Sequence, residues 1–519
     1  MSDTDDRKSA LTSRRSFLGA ATLGAGAAAL GGAAPASAEI LFPARRGLYG
    51  SGGSAAGAVN RAEVELFDCE VEGKLPEGLS GVFYRVGPDP QYPKPEQWEP
   101  DIGFDGEGHV SMFHIHDGHV DYRTRYVRTQ RWKAQHAARR SLFGMYRNPL
   151  TDDPSVAGLS RGTANTQVWY HHNKLFALKE DSPPVAINPL TLETTDDYYL
   201  FGGDYKGLTH TAHPKTDPVT GGLVGFGYQA TGLASNDIYI YEADRSGKIF
   251  WDVMVKCPYS GMLHDFIVTQ KHIAFFLFPS VTNMDWIREG KIHYTWDSTL
   301  PAYVGVMPRG GDARDMRWIK GPMYFCTHLM GGWSDGDKLI FDMDGGESNQ
   351  FPFFPNLHEP FDPHAAEGRV RRFTVDLAKR GNLTYEVETL YPEITGALAR
   401  QDDRYLTMPY RYGFLNASAR GGTSGWAMFD HAQRKTQLFS LPDYSLQEMC
   451  FVPRKKGAPE GDGYLIGVAN SSKEHGRSDL LLVDTQDLSA PPVARVKLPF
   501  RAVGQIHGFW VPGDDLPKA

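Results

Sequence analysis

The protein has 519 residues, a formal net charge of −8, and 41% hydrophobic against 22% charged residues. That composition is ordinary for a globular protein, and the mild acidity without a basic cluster argues against nucleic acid as a partner. Four scattered cysteines, with no C-x-x-C pair, exclude a zinc ribbon and a disulfide-stapled scaffold, although one incidental bridge stays open.

The N-terminus reads as an address. Ser13-Arg14-Arg15-Ser16-Phe17-Leu18-Gly19 is a twin-arginine pattern, followed by a weakly apolar Ala/Gly/Leu run and a small-x-small site at Ala36-Ser37-Ala38. Residues 1–38 are therefore expected to be a twin-arginine signal peptide, which implies the export machinery as a partner and a periplasmic or secreted location. The run is too poor in strongly apolar residues for a membrane anchor, and no later segment is expected to span a bilayer. A Gly/Ala/Ser-rich lead-in covers residues 39–59, and residues 60–519 contain no linker long enough to divide them.

The sequence holds 56 glycines, 34 prolines and 12% aromatic residues, with few helix-forming runs. Short β-branched or aromatic runs recur between turn residues: Lys174 to Leu178, Gly222 to Phe226, His272 to Phe276, Lys338 to Phe341 and Gly463 to Gly467. Helical periodicity is confined to Pro95–Trp98 and Arg123–Arg140. Many short strands in one long undivided domain predict an all-β architecture, and a β-propeller of six to eight blades solves the edge problem at this size. A few helices are expected to cap its top face. No clean internal repeat marks the blades.

Four histidines stand beside strand-like or turn segments. His213 lies before Pro214, His264 before Asp265-Phe266, His328 after Cys326-Thr327, and His507 before Gly508-Phe509-Trp510. Singly, each reads as a structural histidine. They are too widely spaced for one helix or hairpin, and meet only if several blades each aim one residue at a common axis.

These contexts resemble the carotenoid cleavage oxygenase family. The resemblance runs in order through Leu79 to Pro88, Phe104-Asp105-Gly106-Glu107-Gly108, the His213-Pro214 segment, Phe451-Val452-Pro453-Arg454 and His507 to Pro512, nearly everything after the signal. It implies a seven-bladed propeller with one Fe(II) per protein molecule held by His213, His264, His328 and His507, and with dioxygen as co-substrate. Imidazole suits ferrous iron, and four neutral ligands leave positions open. The family orients its histidines with glutamates, and Glu180 and Glu448 match that pattern. The third is unsettled, because Thr389-Leu390-Tyr391-Pro392-Glu393 places leucine where the family has glutamate. Glu393 is the favoured substitute, Glu388 is the other candidate, and a missing partner stays open.

Leu178-Lys179-Glu180-Asp181-Ser182-Pro183-Pro184 and Leu142 to Pro149 resemble the bacterial lignostilbene dioxygenase and isoeugenol oxygenase branch. That branch grips the 4-hydroxyl of a phenolic substrate with a Tyr and a Lys, which here fall on Tyr146 and Lys179. If Glu180 faces His213, strand alternation sends Lys179 the other way unless a bulge turns both inward. The expected activity is dioxygen-dependent cleavage of the exocyclic C=C bond of a 4-hydroxyphenyl alkene, a stilbene or isoeugenol-like compound, to carbonyl products. Apocarotenoid or carotenoid cleavage is the alternative within the family, and a non-catalytic periplasmic binding propeller is the alternative outside it.

Overall fold

The computed structural model describes residues 60–95, 102–419, 424–474 and 477–518. The expected signal peptide and lead-in, and most of the Pro95–Trp98 segment, lie outside the described residues. Among those described, seven four- or five-stranded antiparallel sheets follow one another round a ring, with one extra two-stranded ladder. This is the expected seven-bladed β-propeller.

Each blade begins with its innermost strand and meanders outward through hairpins. In sequence order, blades 2 to 7 start with Gln167–His171, Lys215–Thr216, Ile267–Val268, Phe325–Asp335, Ile394–Gln401 and Tyr444–Pro453. Blade 1 is different. Its innermost strand is the last of the molecule, His507–Pro512, paired antiparallel with Gly81–Pro88. Near the other terminus, Val71–Gly73 adds an edge to blade 7 through Ala494–Lys497. The ring is sewn shut by both ends of the described residues, and that closure alone brings His507 beside residues from the middle of the sequence.

The strand runs legible in the sequence fall where the β-branched and aromatic runs between turn residues put them: Lys174–Leu178, Leu223–Tyr228, His272–Leu277, Lys338–Gly346 and Gly463–Ser471. The helical expectation over Arg123–Arg140 holds only in its second half. His119–Tyr126 is a strand with alternating burial, and the helix α1 occupies Gln130–Ala138, capped by the Thr129 side chain accepting from the Trp132 N–H. A second short helix, α2 (Met284–Arg288), sits with the two-stranded ladder inside the insertion of blade 4.

The core is built between blades, because both faces of each sheet are covered. In blade 1, Val82, Tyr84, Val86, Val110 and Met112 pack towards Val168, Leu175 and Val185 of blade 2. The alternate residues Phe83, Phe113, Ile115 and Tyr122 pack towards Ile466, Leu480 and Leu482 of blade 7. Full burial of one such side group contributes about 1.5–3 kcal/mol before entropy is counted. All four cysteines are buried and free, so the bridge left open by the sequence does not form. Among the described residues no helix is long and apolar enough to cross a membrane.

Candidate metal centre and substrate pocket

Four innermost strands bring one histidine each towards the axis. His213 and His264 lie two and three residues before the inner strands of blades 3 and 4, His328 lies within that of blade 5, and His507 opens that of blade 1. Backbone irregularities do the aiming. The ladder of blade 5 skips Thr327 and His328, and that of blade 7 skips Gln447 and Glu448. Such bulges re-aim side chains that regular alternation would send into the blade.

The result is a tight cluster. One ring nitrogen from each of His213, His264, His328 and His507 lies within 4.8 Å of the others. His264 Nε2 stands 3.0 Å from His213 Nε2 and 3.2 Å from His328 Nε2. Three of the rings are tied from behind through Nδ1: His264 to Glu180 at 2.5 Å, His507 to Glu448 at 2.8 Å, and His328 to Asp344 at 3.2 Å. An Nδ1–H donated to a carboxylate leaves Nε2 unprotonated, so lone pairs converge on one point. His507 Nε2 is buried with no hydrogen-bond partner. Converging lone pairs with an orphaned buried nitrogen fit a cation at the centre, and imidazole nitrogens suit a divalent transition ion.

The electrostatics of His213 and His507 agree. Burial, reinforced by the other histidines, pushes His213 well below the usual imidazole range, and burial likewise brings His507 down to about 4. Burial thus favours the uncharged form of both rings, which has a lone pair to offer. Burial would raise the Glu180 and Glu448 carboxyls, but their histidine partners outweigh it and hold both low, helped at Glu448 by Arg400. Arg400 Nη1 also donates to the Gly508 carbonyl at 2.7 Å, clamping Glu448 to the closing strand.

Two expectations need correction. Glu180 contacts His264, not His213, because it lies in the turn after Lys174–Leu178 and reaches across to the entry of blade 4. The third carboxylate is Asp344, not Glu393. Glu393 is exposed after Pro392, and Glu388 is exposed and paired with Arg434. Asp344 comes from the second strand of the same blade as His328, is fully buried, and accepts four hydrogen bonds. Their donors are the Thr327 hydroxyl, the His328 N–H, the His328 ring and the Ala399 N–H. Ala399 sits where the ladder of blade 6 is itself interrupted, between Ala397 and Arg400. An aspartate is short, and it reaches His328 because it starts one strand away. No motif in the sequence marked it.

Lys179 and Tyr146 are brought together. The strand ends at Leu178, so Lys179 and Glu180 leave alternation and both turn inward, without a bulge. The Lys179 Nζ lies 5.5 Å from the Tyr146 ring centre and 5.1 Å from that of Phe104. It donates to the Phe104 carbonyl at 2.9 Å and Asn165 Oδ1 at 3.1 Å, which leaves one N–H without an acceptor among the described residues. The Tyr146 hydroxyl also has no partner there. Burial lowers the Lys179 pKa against the pull of Asp181 and Glu180, and burial raises that of Tyr146 well above the usual phenol value. Sequence reasoning missed the aromatic cluster beside this pair. Phe104 stands 5.2 Å edge-on from Tyr146 and 5.4 Å from Phe353, with Phe351 and Phe354 completing an aromatic cluster. The run Phe351-Pro352-Phe353-Phe354 was the available signal.

Comparison with known proteins agrees with this geometry. Residues 57–512 match the family described as retinal pigment epithelial membrane protein. The sequence is 42% identical over 477 residues to lignostilbene-α,β-dioxygenase isozyme III of Sphingomonas paucimobilis, covering 88% of this protein and 96% of that one. It is 38% identical to isoeugenol monooxygenase of Pseudomonas nitroreducens, covering 87% and 96%. The crystal structure of Pseudomonas brassicacearum lignostilbene dioxygenase superposes with a TM-score of 0.83 at 37% identity, covering 88% and 96%. With the propeller, the converging histidines and these matches in place, the protein belongs to the carotenoid oxygenase family of enzymes.

Proposed function

We propose that the protein is a non-haem Fe(II) dioxygenase that cleaves the exocyclic C=C bond of a 4-hydroxyphenyl alkene, a stilbene or isoeugenol-like compound, into two carbonyl products. Its site would hold one ferrous ion per protein molecule on His213, His264, His328 and His507, and iron when bound would supply dioxygen activation. Glu180, Asp344 and Glu448 fix the tautomer and plane of their histidines, so the ligand nitrogens need no rearrangement when the metal enters.

The observation that carries the substrate assignment is the pair of unfilled donors. Lys179 Nζ and the Tyr146 hydroxyl lie beside an aromatic cluster with hydrogen bonds still to make. A phenolate oxygen between them would accept from the Tyr146 hydroxyl and from the spare N–H of Lys179, whose positive charge favours ionisation of the phenol. The resulting phenolate pushes electron density along the conjugated system to the double bond. The substrate then needs no bond to iron. Phe104 and its neighbours present ring faces and edges to the aryl group and exclude water from the phenolate.

The same aromatic cluster would also accept an apolar polyene, so apocarotenoid cleavage is the competing reading. Aerobic incubation of iron-loaded protein with a panel of phenolic alkenes and apocarotenoids, followed by mass analysis, separates the two. Carbonyl fragments from the phenolic alkenes support the proposal, and fragments from the apocarotenoids alone overturn it. The twin-arginine pattern at Arg14-Arg15 supports export of the folded, metal-loaded protein to the periplasm through the twin-arginine machinery.

A further inference from the structure

A second cluster of metal-binding side chains lies on the outer hairpin of blade 1. Gly108–His116 and His119–Tyr126 are joined by Asp117-Gly118, both in the left-handed region at φ 49° and 82°. A two-residue loop of that kind fixes the register of the strands. In that register His114 faces Asp121 and His116 faces His119, so all four side chains share one face. The intervening Ile115 and Val120 are fully buried, which holds the register against slippage.

The geometry of this face is that of a binding site. The His114 and His116 rings are 4.6 Å apart, and His116 Nε2 stands 3.1 Å from Asp121 Oδ2. One ligand atom from each of His114, His116 and Asp121 lies within 4.8 Å of the others. The other oxygen of Asp121 is held by the Asp68 N–H at 2.8 Å, so the carboxylate is already oriented. Asp68 in turn accepts from the ring of His119 at 2.7 Å, bracing the flank. The cluster is half-exposed, with the His116 and Asp121 side chains 35% and 29% accessible.

It is also remote from the axis. His507 pairs with Val86 and Val86 with Val110. His114 and His116 lie four to six residues further along that strand, about 13–20 Å at roughly 3.3 Å per residue.

We propose that His114, His116 and Asp121 form a second, surface metal site, separate from the four-histidine centre, that takes a borderline divalent cation: Zn²⁺, Cu²⁺ or Ni²⁺. Two imidazoles and one carboxylate are the donors these ions select, whereas Mg²⁺ and Ca²⁺ prefer all-oxygen shells. Metal–ligand bonds of about 2.1 Å hold donors no more than about 4.2 Å apart, so small rotations of half-exposed side chains close the site. Water fills the remaining positions.

The test is equilibrium dialysis of the iron-loaded, full-length protein against Zn²⁺, with zinc and iron measured together. The wild type is expected to take up one zinc per molecule while keeping its iron. The His114→Asn/His116→Asn variant should lose that zinc, and Asp121→Asn should weaken its binding by at least about 10-fold, the low end of the cost of disturbing even an outer partner. Iron content and alkene cleavage of the variants should match the wild type, which also shows that they are folded. Untagged wild type should be retained on immobilised nickel and the double variant should not. Zinc that enters only as iron leaves, or extra zinc that persists in the double variant, overturns the proposal.

Discussion

Replacing Asp344 with asparagine tests the least expected feature of the metal centre. The carboxylate accepts from the Thr327 hydroxyl and His328 N–H on one oxygen, and from the His328 ring and Ala399 N–H on the other. In Asp344→Asn one of those oxygens becomes an NH₂. Whichever way the amide points, it faces at least one N–H that cannot rotate away. A buried donor left unmade costs about 1–3 kcal/mol. Loss of an outer partner of a metal ligand typically costs about 10- to 100-fold in metal affinity, or roughly 1.4–2.7 kcal/mol at 1.36 kcal/mol per decade. The two routes give the same size of effect. Chelator competition on anaerobic protein measures iron affinity directly, with Glu393→Gln as the control because Glu393 is exposed. Asp344→Asn should fall in that range and Glu393→Gln should match the wild type. Full iron affinity in Asp344→Asn, or a loss confined to Glu393→Gln, would refute the assignment.

Three further outcomes are expected. Each of His213→Ala, His264→Ala, His328→Ala and His507→Ala should abolish turnover and leave the protein with sub-stoichiometric iron by metal analysis; full occupancy and activity after any one replacement removes that residue from the ligand set. His210, fully buried between the Thr211 carbonyl and the Tyr241 hydroxyl, is held by burial at about 4. Its unfolded form takes up a proton below about pH 6.5 and the folded form does not. Stability should therefore fall as pH drops from 6.5 towards 4, by up to about 3 kcal/mol from this group; His210→Gln should flatten the dependence of Tm on pH, and an unchanged slope would contradict the reasoning. Arg14→Lys with Arg15→Lys should leave unprocessed protein in the cytoplasm on fractionation, because the pair is read by a receptor and not as charge.

Much of the fold was legible because β-branched and aromatic runs between turn residues are a local signal. Lys174–Leu178 is a strand at the bounds the pattern suggested, and the turn residues around Gly463 and His272 mark real hairpins. Where two signals abut, the pattern blurs: His119–Tyr126 alternates as a strand, and α1 starts only four residues later. The four histidines were legible only through their resemblance to a family. Their convergence depends on seven sheets closing a ring, and on a C-terminal strand returning to blade 1. Asp344 was invisible for a related reason. Its role arises from a skipped register in blade 5 and a backbone N–H offered by a second irregularity in blade 6. Neither leaves a composition signal, whereas a glutamate near Pro392 offered a familiar one. Lys179 was puzzling only while the strand was assumed to continue. Its end at Leu178 removes the conflict with Glu180.

In the proposed function, Lys179 and Tyr146 grip a para-hydroxyl whose electrons drive cleavage. That grip is tested most directly by kcat/KM of the iron-loaded protein for a 4-hydroxystilbene and its 4-methoxy counterpart, with wild type and Lys179→Met side by side. A site with polar groups waiting for a hydroxyl rejects the analogue lacking it by as much as roughly 10⁴. The hydroxy compound should be cleaved rapidly and the methoxy compound should be nearly inert, and Lys179→Met should lose that preference through slower turnover of the hydroxy substrate alone. Equal turnover of both compounds by the wild type would contradict it.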